Sequence, residues 1–289
     1  MPRGFMRRGV RDLWRICRAD KAALAGGLVV LVYLVIAVIG PYVASAGNVQ
    51  NPAGANLGPS WQHPLGTDPL GHDVLAGIVV GTRPVILVGI LAAGITVFVG
   101  VAVGLVSGYL GGAVDSAVMR VVDVFLTVPG LPLIIVIAAV VHTTSPVVLA
   151  VVLSVTAWSG LARAVRSQAL SLREAEFIEA ARVQGLSVGQ IVTRQLLPNV
   201  GPYVAIHFLL DITGAIYAEV GLFLLGVAPI TGTNWGTMIN SAMSEGALYS
   251  SSSILYLLSP MVAIVVLQVA FVFFARALDT LFNPRLRPR

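Results

Sequence analysis

Long apolar stretches, almost free of charge, recur along the whole chain and dictate where it can fold. A hydrocarbon core about 30 Å thick needs roughly 20 helical residues to cross it. Six stretches reach or nearly reach that length, at residues 22–43, 84–106, 121–141, 145–161, 200–227 and 254–275. Only 11% of the 289 residues are charged, against about 25% in soluble proteins, which is too few to cover a water-soluble surface. The sequence therefore predicts an all-α integral membrane protein with six transmembrane helices.

The basic residues indicate how the six spans are oriented. All of the 18 lysines and arginines except Arg83 fall in segments that the spans place on one side of the membrane. Positive charge accumulates on the cytoplasmic side, so we predict a multi-pass protein of the cytoplasmic membrane with both termini in the cytoplasm. The net charge of +5 then reflects topology, and we expect membrane lipid rather than nucleic acid as the surrounding partner.

The first apolar stretch has a second interpretation, as a cleaved signal peptide, because small residues follow it at Ala44, Ser45 and Ala46. Its length of about 22 residues exceeds the 7 to 15 expected of a signal peptide, so we favour a span. The predicted organisation is a basic N-terminus (1–21), a first helix (22–43), an outer loop (44–83), a five-helix core (84–275) with a cytoplasmic loop (162–198) and an outer loop (228–253), and a cytoplasmic C-terminus (276–289).

The cytoplasmic loop contains a short amphipathic pattern between residues 174 and 184. Polar residues recur every three positions, at Glu176, Glu179 and Arg182, and apolar residues fall on the other side of a helix, at Phe177, Ile178 and Ala181. Gly185 follows as a C-terminal stop and Ser187 can cap a second helix. From this pattern alone, the helix either lies on lipid headgroups or contacts another protein.

Small and charged residues within the spans need a reason. Gly100, Gly104 and Gly108 form a stripe at four-residue spacing that allows close helix packing, within the chain or against a partner. Asp211 and Glu219 lie eight residues apart and face broadly the same way, about 80° apart around the helix axis. They line a polar pathway or bond to neighbouring helices.

Other candidate groups are fewer. Arg120 and Asp123, three residues apart, suggest an interfacial ion pair. Cys17 is the only cysteine and the histidines are not clustered, so we predict no metal site. The chain has no phosphate-binding loop, no H-E-x-x-H and no G-x-S-x-G sequence, and we assign no catalytic residue. Energy for moving a solute would have to come from a gradient or from another subunit.

Two motifs resemble those of permease subunits of ABC importers. The cytoplasmic loop resembles the EAA motif of these subunits at Glu179, Ala180, Ala181, Gly185, Leu197, Pro198 and Asn199. The outer loop resembles the LGTD-x-LGRD-x-x-SR-x-x-x-G-x-R signature of the shorter permease in the dipeptide, oligopeptide and nickel branch, at Gly66, Thr67, Asp68, Gly71, Asp73, Gly81 and Arg83. The resemblance extends over residues 22–284, with departures such as His72 in place of the usual arginine.

The resemblance implies a type I ABC importer permease fold in a bacterial inner membrane. It implies a homologous second permease, two cytoplasmic ATPase subunits that bind ATP and Mg, and an extracytoplasmic solute-binding protein, with no cofactor in this chain. In that family the EAA helix is the coupling helix, which closure of the ATPases moves so that the attached spans tilt. We accordingly expect the ATPase-docking residues to be Glu176, Glu179, Ala180, Ala181, Arg182 and Gly185.

The resemblance favours di- or oligopeptides as the solute, whereas nickel, oligosaccharides and other small solutes stay open within the same branch. Two other classes of protein are also open. A gradient-driven secondary transporter would use Asp211 and Glu219 as a cation relay but leaves the EAA-like loop unexplained. A membrane-embedded enzyme would need a catalytic constellation, which the sequence does not show.

Overall fold

Helices account for most of the molecule. The computed structural model describes residues 20–44, 49, 51–143, 145–228, 232–249 and 253–282. The helices are α1 (Lys21–Ala44), α2 (Val74–Leu110), α3 (Gly112–Thr127), α4 (Gly130–Val141), α5 (Pro146–Arg173), α6 (Glu176–Val183), α7 (Val188–Ile191), α8 (Leu197–Leu224), α9 (Trp235–Ser244) and α10 (Ile254–Phe282). A π-helical turn, Val192–Leu196, joins α7 to α8.

The membrane-crossing helices agree with the predicted architecture. In the described ranges, five helices are long and apolar enough to cross a membrane, and a sixth crossing results if α3 and α4 count as one broken span. We call the end of the bundle where α2 and α5 finish and α8 begins the basic end, because Arg163, Arg166 and Arg194 lie there. The opposite end, which carries residues 51–73 and α9, is the loop end. The orientation of these ends relative to the cytoplasm stays a prediction.

The third predicted span is not the straight helix expected at residues 121–141. Helices α3 and α4 meet at an angle of 84°. Pro129 lacks the amide hydrogen that a continuous helix requires and disfavours helical geometry in the residue before it. Val128 is accordingly extended, with a ψ of 127°, and Pro129 becomes the N-cap of α4.

Two helices extend beyond the boundaries that hydropathy predicts. Helix α2 begins at Val74, so Arg83 lies inside it and not at the end of an outer loop. Helix α5 continues to Arg173, which removes residues 162–173 from the predicted cytoplasmic loop. With 37 and 28 residues, the two helices are about 55 and 42 Å long and exceed the hydrocarbon thickness. Hydropathy marks the part of a helix in lipid, and these ends project beyond it.

Helix α2 is the central element, and its glycines face α5. A methyl group added to Gly104 would lie 2.6 Å from the carbonyl oxygen of Ala162, and one added to Gly108 would lie 2.7 Å from the Cβ of Ala169. At Gly100 the carbonyl oxygen of Trp158 is 3.0 Å from the same position. The two backbones therefore approach each other closely, and the partner of this glycine stripe is a helix of the same chain.

Three large buried apolar clusters divide the core of the described part of the chain, beside a small fourth one of Ala23 and Ala277. One joins α1, the first half of α2, α8, α9 and α10, a second joins α2, α4 and α5, and a third packs α6 and the π-helical turn onto α2, α5 and α8. The predicted basic N-terminus as far as residue 19, with Cys17, lies outside the described residues, as do Ser45, Ala46 and the arginines at 285, 287 and 289.

Candidate functional site

The α6–α7 segment at the basic end is a helix, a tight turn and a second helix, as the sequence predicts. Gly185 adopts a φ of +75°, which glycine tolerates without a steric penalty. Its amide donates to the carbonyl of Arg182 (3.0 Å), and the amide of Leu186 donates to that of Ala181 (3.1 Å), which together form a Schellman motif. Ser187 then caps α7 in a capping box with Gln190.

One face of α6 holds the helix against the rest of the protein. Ile178 is fully buried and Ala181 is 3% exposed, in a cluster that includes Val165 and Leu196. The guanidinium of Arg182 lies 5.4 Å from the centre of the Tyr109 ring and donates to the carbonyl oxygen of Arg173. Helix α6 is therefore fastened to α2, α5 and the π-helical turn.

The opposite face of α6 is exposed together with the turn and the start of α7. We call this face the α6–α7 surface; it comprises Glu176, Phe177, Glu179, Ala180, Val183, Gly185 and Val188. Val183 is 84% exposed and Val188 is 49% exposed, so two apolar side chains lie in solvent beside the glutamates of this surface. The surface thus combines exposed apolar and acidic side chains.

The α6–α7 surface differs in part from the predicted docking set. Glu176, Glu179, Ala180 and Gly185 lie on it, whereas Ala181 is buried because it completes the contact with the core. Arg182 is exposed but is directed towards Tyr109. Phe177, expected on the buried side, is 40% exposed, and the sequence analysis missed Val183 and Val188. Both valines lie close to Gly185 in the sequence, and this position beside a turn could have indicated that they are exposed.

Ion pairs at the basic end connect α3 to α5. Arg166 pairs with Asp115 through two hydrogen bonds, and Arg163 pairs with Asp123. The predicted pair of Arg120 and Asp123 is wrong, because Asp123 takes the arginine of a neighbouring helix instead of the one on its own helix. Both acidic side chains of α3 that form ion pairs in the described part of the chain thus face α5.

The signature residues of the outer loop form a compact scaffold at the loop end. Asp68 accepts hydrogen bonds from the amides of Leu70 (2.9 Å) and His72 (2.8 Å), and its other oxygen lies 2.8 Å from Nδ1 of His72. Asp73 caps α2 by accepting from the amide of Ala76 at 2.8 Å. His72, a departure from the family signature, therefore braces the turn that Asp68 closes.

Gly66, Thr67 and Gly71 fill tight positions in the same loop, whereas the signature residues Gly81 and Arg83 lie inside α2. Gly66 and Gly71 have φ values of +80° and +81°. The Thr67 hydroxyl accepts from the amide of Leu57 at 2.8 Å. Arg83 follows Asp73 by ten positions, within α2, where it lines a cavity.

Asp211 and Glu219 on α8 line two different cavities. Asp211 borders a space of about 310 Å³ between α2, α4, α5 and α8, with Thr96 and Thr156 nearby. Glu219 borders a space of about 270 Å³ at the loop end, together with Arg83. Eight residues correspond to about 12 Å along a helix, so a similar direction does not bring the two carboxylates together.

Glu219 also bonds to a neighbouring element. Its Oε1 accepts a hydrogen bond from Nδ2 of Asn234 at 2.7 Å, just ahead of α9. Neither Asp211 Oδ2 nor Glu219 Oε2 has a hydrogen-bond partner in the described part of the chain, although both atoms are buried. The described residues contain no group of three or more metal-ligating side chains.

Up to six membrane crossings within the described ranges, with mainly apolar cavities between them, are the architecture of a multi-pass membrane protein. The family model for the binding-protein-dependent transport system inner membrane component matches residues 100–288, and that for the N-terminal TM domain of oligopeptide transport permease C matches residues 10–59. The chain belongs to this family, the permease subunits of ABC importers with the type I permease fold. As a permease it is a non-catalytic transport subunit.

Several relatives are similar over most of their length. The dipeptide transport system permease protein DppC of Bacillus subtilis (strain 168) is 36% identical over 237 residues, which cover 81% of this chain and 73% of the relative. The glutathione transport system permease protein GsiD of Pectobacterium atrosepticum is 31% identical over 282 residues, covering 96% and 91%. The oligopeptide transport system permease protein OppC of Bacillus subtilis (strain 168) is 30% identical over 237 residues, covering 80% and 76%. These findings favour the importer permease over the secondary transporter and the membrane enzyme.

Proposed function

We propose that this permease forms half of a pathway for di- or oligopeptides and is driven by ATPase subunits that dock on the α6–α7 surface. The second half of the pathway would come from a homologous permease, and an extracytoplasmic binding protein would deliver the solute. ATP and Mg would be bound by the ATPase subunits. The peptide solute is supported by the names of the relatives, which transport dipeptides, oligopeptides or glutathione. Nickel or an oligosaccharide is the alternative within the branch.

The observation that carries the docking proposal is the division of α6 into two faces. Ile178 and Ala181 fix the helix to the core, while Val183 and Glu179 are exposed on the other side. A partner that buries Val183 would remove apolar surface from water, and Glu179 offers it a negative charge. Because α6 contacts α2, α5 and the π-helical turn that leads into α8, a force applied to it would reach three membrane helices.

Purification tests the subunit composition. In mild detergent the chain is expected to purify with two ATPase subunits and a second permease, and to transport only when ATP is supplied. A chain that purifies alone and transports under a proton gradient would contradict the proposal.

Variants of the α6–α7 surface test the docking site. Val183→Asp and Glu179→Arg should abolish ATP-driven uptake and release the ATPase subunits, because each changes an exposed position of this surface. Gly185→Asp should do the same by straining a residue at a φ of +75°. Leu248→Asp is the matched control, since Leu248 is 57% exposed at the loop end. Normal uptake by the Val183 and Glu179 variants, with protein levels unchanged, would refute the docking proposal.

A further inference from the structure

The break between α3 and α4 lies at a depth that the neighbouring helices define. Helix α4 has 12 residues and is about 18 Å long, too short to cross a hydrocarbon core of about 30 Å. It ends at the loop end, where Thr143 and Pro146 border one cavity with Arg83. At its other end, a Cβ added to Gly130 would lie 3.1 Å from Oγ1 of Thr156. Thr156 is ten residues, or about 15 Å, into α5, so the break lies about halfway across the core.

The part of the span before the break lies nearer the basic end. Asp115 and Asp123 on α3 pair with Arg166 and Arg163 on α5. The two aspartates are eight residues apart, about 12 Å along α3, whereas the two arginines are three residues apart, about 4.5 Å along α5. Helix α3 therefore crosses α5 obliquely, in agreement with its angle of 84° to α4. The break is a change of direction inside the membrane and not a brief interruption of a straight span.

The backbone at the break is irregular and exposed. Residues 127–129 are exposed, and Val128 is extended. The first amides of a helix have no acceptor within that helix, and Pro129, the N-cap of α4, has no side-chain acceptor to offer them. In a hydrocarbon core, irregular backbone occurs only where it is buried in protein or lines a water-filled space, because lipid cannot satisfy its polar groups. The break therefore does not face lipid.

A cavity adjoins the break. Gly130 and Leu131 border the space of about 310 Å³ between α2, α4, α5 and α8. Its walls are mainly apolar, but three different helices contribute polar side chains to it, those of Thr96, Thr156 and Asp211. A water molecule in a protein needs about two to four polar partners. The threonine hydroxyls and the uncapped amides at the start of α4 supply such partners at the same depth.

We infer that residues 127–131 line a water-filled stretch of the solute pathway halfway across the membrane, and that the second permease completes its wall. This inference rests on the proposed permease function and assigns part of the pathway wall to an irregular segment of this chain. A dry contact with the second permease would have to provide an acceptor for each uncapped amide. Water in the cavity satisfies the amides without any fixed partner geometry.

Cysteine accessibility tests the inference. Val128→Cys and Leu131→Cys are introduced singly into a chain that also carries Cys17→Ser, because Cys17 is the only native cysteine. The complete importer in proteoliposomes is treated with 2-sulfonatoethyl methanethiosulfonate, a charged thiol reagent that reacts only where water is present. Val265→Cys is the matched control, since Val265 is 57% exposed in the interior of the continuous helix α10. Both break variants should react at least tenfold faster than the control, and the modification should abolish ATP-driven uptake of radiolabelled alanyl-alanine.

Two results would overturn the inference. Reaction of both break variants as slow as that of the control would mean that lipid or dry protein covers the break. Fast reaction without loss of uptake would mean that the water lies outside the pathway. Either result leaves the proposed function intact if the unmodified importer takes up alanyl-alanine with ATP. Failure of that uptake would count against the proposed function, while the reaction rates still show whether water reaches the break. Leu131→Cys, inside α4, keeps the test decisive if the variant beside Pro129 fails to fold.

Discussion

Replacing Gly104 by alanine should force α2 and α5 apart. The added methyl group would lie 2.6 Å from the carbonyl oxygen of Ala162, 2.8 Å from the Cβ of Val165 and 3.0 Å from the amide nitrogen of Arg166. Two of these three atoms belong to the backbone and cannot move away by changing a rotamer. One helix must therefore shift by several tenths of an ångström to restore ordinary contact distances.

The expected cost follows from two opposing effects. Overpacking a well-packed core typically costs about 1–3 kcal/mol. Alanine is preferred over glycine inside a helix by about 1 kcal/mol, which offsets part of that loss. We expect Gly104→Ala to lower the free energy of unfolding by up to about 2 kcal/mol. Gly94→Ala is the matched control on the same helix, because no heavy atom lies within 4 Å of the added methyl group. It should be neutral or slightly stabilising.

Unfolding in mixed detergent micelles, followed by circular dichroism as SDS is added, measures the difference between the variants. A second arm tests the geometry at Gly108, where the added methyl group would lie 2.7 Å from the Cβ of Ala169. Ala169→Gly should recover part of the stability that Gly108→Ala loses, because neighbouring substitutions in contact are not additive. Equal stability of the Gly104 and Gly94 variants, or no recovery at Gly108, would refute the close packing of α2 on α5.

Three further predictions concern other parts of the molecule. Gly71→Ala should disrupt the loop scaffold, since the methyl group would lie 1.8 Å from the carbonyl oxygen of Asn51 at a φ of +81°; rapid proteolysis of the loop in intact cells would reveal it. Asp115→Asn and Arg166→Gln should show a coupling free energy of about 1–2 kcal/mol in a double-mutant cycle of unfolding, because the pair is bidentate and partly buried, and additive losses would contradict this. Glu219→Ala should lower the unfolding free energy by about 1–3 kcal/mol, because the buried Nδ2 of Asn234 loses its acceptor; unchanged stability in the micelle assay would contradict this.

Local sequence patterns predicted much of the fold. The apolar stretches located the crossings, and the three-residue spacing of Glu176, Glu179 and Arg182 located α6. Gly185 and Ser187 marked the turn and the next helix, because their conformational and capping preferences are local properties. The outer-loop residues were found as a motif, while the bonds that make Asp68 and Asp73 necessary became visible only in the structure.

The missed features depend on contacts between distant residues. Asp123 pairs with Arg163, which is 40 positions away, and no local sequence pattern predicts that pairing. Arg83 and Glu219 border one cavity although they are far apart in sequence, whereas Asp211 and Glu219 do not, although they share a helix. The bend at Pro129 was missed for a different reason, although proline is a local signal. Hydropathy is averaged over a window as long as a span, so a single proline does not interrupt the apolar stretch.

The glycine contacts between α2 and α5 have a mechanical consequence. Two helices whose backbones are in contact have little free volume between them. Because protein interiors are hardly compressible, α2 and α5 should move as one rigid unit. A displacement of α6 by docked ATPase subunits, as proposed above, would then move α2 and α5 together. Beyond this pair the chain changes direction at Gly111 and Gly112, which both have positive φ, and at the bend before α4. The contact between α2 and α5 thus limits the motion of these two helices relative to each other. A change in their angle to α3 or α4 would occur at Gly111, at Gly112 or at the bend.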